Sequence, residues 1–133
     1  MWQFLWYPDG TCDPWATWYG QQDNRVRSTH NRVIGYLNDR ERYDWKPPYI
    51  DKIEGVTELY EIRIKAGVQH RFFGFFGENG HEFFVLLTCT HKGKRYKPTN
   101  AFDTAKTRLR EIKNGKKTAI ECQPPRGARA ISE

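Results

Sequence analysis

The chain has 133 residues, 15% of them aromatic, which is long enough for one folded domain with its own core. Its net charge is +6, and no apolar run approaches the roughly 20 residues of a membrane-spanning helix, so we expect a cytoplasmic protein without a membrane partner. The three cysteines show no metal-ligand spacing with one another or with a histidine, which argues against a disulfide-stapled domain and predicts neither a metal nor a cofactor.

The positive charge is concentrated in the last third of the chain. Residues 1–90 carry 10 Lys and Arg against 12 Asp and Glu, a net of −2, whereas residues 91–133 carry 12 against 4, a net of +8. A field of one sign over part of a small domain attracts a polyanion, and nucleic acid is the usual one. The alternative is a solvated basic surface that only aids solubility.

The first third of the chain predicts a strand, an ordered loop and a helix. Residues 2–7 are aromatic and aliphatic, as in a short strand, and residues 8–23 combine turn-forming Pro, Gly and Asp with many aromatics. We interpret residues 8–23 as an ordered loop inserted in the domain. From Asn24 apolar residues recur at helical spacing, with Asp23 or Asn24 as the cap and two prolines after the end.

Three strands and a second helix follow. Residues 58–67, 70–78 and 82–90 predict strands, the last two joined as a hairpin, and residues 98–115 predict a helix. The fold class is therefore α+β, a small antiparallel sheet with helices packed on one face. Residues 1–115 form the single domain. Residues 116–133 form a basic tail, extended or partly disordered, whose cations are Lys116, Lys117, Arg126 and Arg129.

Polar residues cluster at the end of the hairpin. They are His91, Lys92, Lys94, Arg95, Tyr96 and Lys97. If Ile62 and Ile64 face the helices, strand alternation places Arg63 on the open face of the sheet, where Arg71 of the next strand can join it. These cations would form a positive pocket whose natural occupant is a phosphodiester.

Such a pocket can cleave RNA without a metal ion. The ribose 2′-OH attacks the adjacent phosphate, and Arg and Lys stabilise the charge that develops. His91, Tyr96 or a lysine could transfer the proton. The same groups could instead bind an RNA backbone without cutting it.

Four segments in this order resemble the phage-derived Gp49-like and HigB-type branch of the RelE/ParE toxin superfamily. They are LYEIRI (59–64), HRFFGFF (70–76), FFVLLTCTHKG (83–93) and KPTNAFDTA (97–105). The matching positions are Leu59, Glu61, Arg63, Arg71, Lys92, Pro98, Phe102 and Ala105. Thr90, Gly93 and Ala101 stand where the family pattern has Phe, Lys and Glu.

The resemblance implies a RelE-like toxin fold and a ribosome-dependent endoribonuclease that cuts mRNA and is neutralised by a cognate antitoxin protein. Carried over to this chain, it assigns phosphate stabilisation and proton transfer to Arg63, Arg71, His91, Lys92, Lys94 and Tyr96. We further expect Arg95, Lys97, Lys106, Arg110 and Lys113 to bind RNA. The alternatives are a non-enzymatic phage or mobile-element inhibitor on the same fold, and a gyrase-directed toxin.

Overall fold

A computed structural model of the protein describes residues 1–125 and shows a mixed α+β domain. Seven strands form one sheet: β1 Gln3–Trp6, β2 Ile50–Lys52, β3 Tyr60–Ala66, β4 Val68–Phe76, β5 Glu82–Lys92, β6 Arg95–Lys97 and β7 Ile120–Cys122. Three helices accompany it: α1 Pro14–Gly20, α2 Asn24–Asn38 and α3 Ala101–Lys113, with a 3-10 turn at Arg42–Asp44. The α+β class predicted from the sequence is thus confirmed.

The sheet is larger than predicted and is not wholly antiparallel. Its order is β2-β3-β4-β5-β1-β7, and β6 pairs with the far end of β5. Strand β1 runs parallel to β5 and antiparallel to β7. The predicted sheet was too small because β2, β6 and β7 have three residues each, too few to show a period of two. It was wrong in direction because β1 pairs parallel with β5, about 80 residues along the chain, and no local pattern encodes that pairing.

Helices cover both faces of the sheet, which corrects the prediction that they share one face. One cluster of buried side chains joins α1 and α2 to Ile62, Ile64 and Phe72, and a second joins α3 to Phe73 and Leu87. Consecutive apolar residues in β4 and β5 supply both faces at once. A strand buried on both sides reads as a continuous apolar run, so the run itself was the sign of a two-sided core.

The segment 8–23 contains a helix instead of the predicted loop. Asp13 caps α1 by accepting a hydrogen bond from the backbone N–H of Ala16 at 3.0 Å, and Pro14 occupies the first turn, where its missing N–H costs nothing. The helix delivers Trp15 and Trp18 into the core under the sheet. Seven residues are too few for a clear helical period, which is why composition suggested a loop.

The two long helices lie where the sequence predicted them. Asp23 caps α2 through the N–H of Val26 at 2.9 Å, and Asn100 stands at the start of α3. Of the predicted tail, residues 120–122 pair with β1, whereas Arg126 and Arg129 lie outside the described residues. None of the helices within residues 1–125 is both long and apolar enough to cross a membrane. The division into a domain with an insertion and a tail stays a prediction.

Candidate functional site

Neighbouring strands bring Arg63 and Arg71 to the same spot on the sheet. Arg63 of β3 pairs with Arg71 of β4, which in turn pairs with Cys89 of β5. Ile62 and Ile64, on either side of Arg63, pack in the core cluster under α1 and α2, so Arg63 projects from the opposite face, as alternation predicted. That face is not open along its whole length, because α3 covers the part beside Phe73.

Glu61 joins the two arginines into a network. Its Oε2 lies 3.2 Å from Arg71 Nε and 3.9 Å from Arg63 Nε, and Arg63 Nη2 lies 3.3 Å from Asp51 Oδ2. Glu61 Oε2 and the two Nε atoms are buried without a hydrogen-bond partner among the described residues, so ion pairing alone joins them. The negative charges of the two carboxylates equal the positive charges of the two guanidinium groups, so the cluster carries no excess positive charge.

Arg71 is the most enclosed member of the network. Only 4% of the residue is exposed, and burial lowers the pKa of its guanidinium. Its Nη2 donates to Gln69 Oε1 at 2.6 Å and its Nη1 to the carbonyl oxygen of His70 at 3.2 Å. Burial also raises the pKa of the neighbouring Cys89 thiol to about 12, so this thiol stays protonated and is not a nucleophile at neutral pH.

Tyr96 and His91 complete the face above the network. The Tyr96 hydroxyl donates to Glu61 Oε1 at 3.2 Å, and its ring stacks on His91 with centroids 4.4 Å apart. Phe73 and Phe102 hold the tyrosine ring edge-on from below and from α3. Burial, followed by the charge of Glu61, raises the pKa of Tyr96 to about 12, so its hydroxyl keeps its proton at neutral pH.

The cations of the hairpin end do not all join this face. Strands β5 and β6 form a hairpin with Gly93 and Lys94 in the turn, where Gly93 has φ +62°. Because side chains alternate along a strand, Lys92, Arg95 and Lys97 project from the face opposite His91 and Tyr96. The structure therefore brings Arg63, Arg71, His91 and Tyr96 together on one face. It places Lys92, Arg95 and Lys97 on the other face of the hairpin and Lys94 in its turn.

Three of the α3 cations, Lys106, Arg110 and Lys113, lie on the solvent side of the helix. Lys106 and Arg110 are exposed one turn apart, while Ala101 and Ala105 face the sheet. Lys113 forms an ion pair with Glu58. These three residues border the network's face of the sheet without touching the network.

Three site residues were missed by the sequence reasoning: Asp51, Gln69 and, above all, Glu61. In the sequence, Glu61 is identified only as a position that matches the family pattern. The signal was present, because Glu61 and Arg63 stand two residues apart on one strand and so share a face. The burial of Glu61, at 5% exposure, was not predictable, since Tyr96 covers it from 35 positions away.

The family of the chain follows from a comparison of its sequence with protein-family profiles. Residues 18–110 match the profile described as "Phage derived protein Gp49-like", which is more than half of the chain. The chain belongs to this Gp49-like family. The matched region runs from α1 to most of α3, so it contains Asp51, Glu61, Arg63, Arg71 and the β5–β6 hairpin of this Gp49-like chain. Neither curated proteins nor solved structures gave a match.

Proposed function

We propose that this Gp49-like protein is the toxin of a toxin–antitoxin system and an endonuclease that cuts mRNA on the ribosome. The observation that carries the proposal is the grouping of Arg63, Tyr96 and His91 on one partly exposed surface, over a buried Glu61–Arg71 pair. Guanidinium, phenol and imidazole groups together supply charge stabilisation and proton transfer, the two requirements for cleaving RNA through its own 2′-hydroxyl.

The reaction can be assigned to these groups with protons balanced. His91 takes the proton of the ribose 2′-OH, and the 2′-oxygen attacks the adjacent phosphorus. The bond from phosphorus to the 5′-oxygen breaks, and Tyr96, which holds its proton at neutral pH, turns that hydrogen from Glu61 to the leaving oxygen and gives it up. The proton taken up by His91 then returns to the neighbouring Tyr96 phenolate, which restores both groups. The products are a 2′,3′-cyclic phosphate and a 5′-hydroxyl, and a guanidinium group stabilises the extra negative charge in between.

The exposed cations of the β5–β6 hairpin and of α3 would hold the RNA and the ribosome. Lys92, Lys94, Arg95 and Lys97 are exposed at the hairpin tip, and Lys106 and Arg110 are exposed on α3. Contacts of this kind to phosphates are independent of sequence and weaken with salt. A cognate antitoxin that neutralises the protein would need to cover the same face, and net charge +6 favours an acidic partner.

Cell-free translation with purified protein tests the nuclease directly. We expect discrete breaks in ribosome-bound mRNA, mapped by primer extension, and a loss of cleavage by roughly 100-fold or more in Arg63→Ala, because one transition-state charge contact is removed. Lys52→Ala, which removes an exposed cation of β2 on the opposite face of the sheet, is the matched control and should cleave normally. Intact message with normal translation would refute the nuclease.

The neutral charge of the network favours one alternative, a non-enzymatic inhibitor that binds its target through the exposed cations of the β5–β6 hairpin and of α3. In that case Arg63→Ala would leave target binding nearly unchanged, and charge reversal on the hairpin tip would abolish it. A gyrase-directed toxin would instead damage DNA and leave the message intact.

A further inference from the structure

We infer that the two arginines have different roles: Arg63 contacts the RNA phosphate, whereas Arg71 is a positioning residue that holds Glu61 against Tyr96 and never touches the RNA. This inference rests on the proposed function, and it departs from the expectation that both arginines stabilise the phosphate.

The surroundings of Arg71 leave it no route to a ligand. Each of its three nitrogens has a protein oxygen within 3.2 Å, on Glu61, Gln69 and His70. The side chain is 5% exposed and lies under Tyr96, which hydrogen-bonds the same carboxylate. A phosphate that reached Arg71 would leave the Glu61 carboxylate buried beside a second anion, and burying unpaired charge is costly.

Arg63, unlike Arg71, is accessible to a ligand from solvent. Its side chain is 25% exposed, and its outer nitrogen Nη2 meets Asp51, whose own side chain is 43% exposed, so solvent reaches this ion pair. Exposed ion pairs contribute little stability, and a phosphate can replace the carboxylate at small cost. Asp51 therefore competes with RNA for Arg63.

The buried pair explains why Tyr96 stays where it is. Glu61 offers Oε1 to the Tyr96 hydroxyl and Oε2 to Arg71, so the arginine charge fixes the carboxylate and the carboxylate fixes the phenol. Arg71 acts on the reaction through these two groups alone. Its replacement should therefore change the rate of cleavage and leave the affinity for RNA unaltered.

The test measures binding of a fluorescein-labelled single-stranded RNA by anisotropy at several salt concentrations, and single-turnover cleavage of ribosome-bound message. We expect Arg63→Gln to weaken RNA binding by roughly 10-fold and to reduce the salt slope by about 0.7, the loss of one phosphate contact. Arg71→Lys keeps a charge beside Glu61, so RNA affinity and salt slope should stay unchanged while cleavage slows by roughly 10-fold or more.

Asp51→Asn provides a second arm that does not disturb the buried pair. Removal of this competing carboxylate should strengthen RNA binding by at least about threefold relative to Glu54→Gln, which makes the same charge change at an exposed position nearby. If circular dichroism shows that Arg71→Lys does not fold, Gln69→Ala, which removes the Nη2 partner of Arg71 and keeps both charges of the buried pair, takes its place in the same two measurements.

Equal losses of affinity in Arg63→Gln and Arg71→Lys, or equal affinities of Asp51→Asn and Glu54→Gln, would overturn the inference. So would a wild-type protein that does not bind the RNA. Cleavage by the wild type together with equal losses in the two arginine variants would overturn the inference and keep the nuclease. The expected affinities without any cleavage would refute the nuclease and keep Arg63 as the RNA contact.

Discussion

Glu61 is a buried carboxylate that joins the polar groups of the candidate site. Glu61 is 5% exposed and meets Arg71, Arg63 and the Tyr96 hydroxyl, three groups from three strands. A carboxylate in that position is stable only while cations balance it, because solvent does not reach it. The alternation of β3 predicts that Glu61 and Arg63 share a face. Its burial depends on the distant Tyr96, and no local pattern around residue 61 encodes that contact.

Removal of the Glu61 charge should destabilise the fold as well as the site. In Glu61→Gln the Arg71 guanidinium stays buried without a counter-charge, and we expect a loss of about 3 kcal/mol in the free energy of unfolding. Urea denaturation measures this loss. Glu78→Gln, on an exposed loop, is the control and should change stability by less than about 0.5 kcal/mol.

A double substitution separates the ion pair from general damage. Glu61→Gln combined with Arg71→Gln removes both charges. The double variant should therefore lose less free energy of unfolding than the two single variants lose in sum. Additive losses would show that Glu61 and Arg71 do not interact in the folded protein.

At the level of elements, a bulge in the β4–β5 hairpin sets which side chains face which core. Phe73 pairs with Leu87, but Gly74 pairs with Val85, so Leu86 is the extra residue of β5. Beyond the bulge the phase of β5 changes, which sends Val85 under α2 and both Leu86 and Leu87 toward α3. The bulge thereby places two successive residues of β5, Leu86 and Leu87, in the same core.

Gly74 is the residue that makes this hairpin possible. A Cβ at this position would lie 2.1 Å from the carbonyl oxygen of Phe84 and 2.6 Å from the ring of Phe83, which is far inside contact distance. We expect Gly74→Ala to lower the free energy of unfolding by about 3 kcal/mol, with the melting temperature falling by roughly 10 °C. Scanning calorimetry measures this change. Gly80→Ala, where a Cβ meets nothing within 4 Å, is the control and should melt close to the wild type.

The long elements of this fold and strand β1 could be predicted from the sequence, whereas helix α1 and the three-residue strands could not. Helices α2 and α3 and strands β3 to β5 carry enough residues for a period to emerge, and their predicted positions hold in the structure. Strands β2, β6 and β7 are strands only because they pair with other strands of the sheet. Ile120, for example, lies in a strand because it pairs with Trp6, far away in the chain. The predicted third strand ended at residue 90, but β5 continues to Lys92, and alternation along β5 sends His91 and Lys92 to different faces of the sheet. The single pocket of cations expected from the sequence therefore does not form.

For the molecule as a whole, stability should depend on pH through His30 of α2, which is buried in the core on the α1 and α2 side of the sheet. His30 is 0% exposed; its Nε2 accepts a hydrogen bond from Trp15 Nε1 at 2.9 Å, and its Nδ1 therefore carries the hydrogen that it donates to Asn31 Oδ1 at 3.0 Å. Both nitrogens of the neutral ring are satisfied. Burial lowers its pKa to about 4 in the folded protein, from 6.5 in the free side chain.

The direction in which stability changes with pH follows from which state, folded or unfolded, takes up the proton first. Below pH 6.5 the unfolded chain protonates His30 while the folded protein resists until about pH 4, so acid favours unfolding across that window by up to about 3 kcal/mol. Urea denaturation between pH 7 and pH 4.5 measures the slope. His30→Gln removes the titrating group but keeps an acceptor for Trp15, and its slope should be shallower, whereas His81→Gln, at an exposed position, should keep the wild-type slope. A wild-type slope in His30→Gln would show that His30 does not set the acid sensitivity, and the half-buried His70, whose pKa burial also lowers, would then be the group to replace.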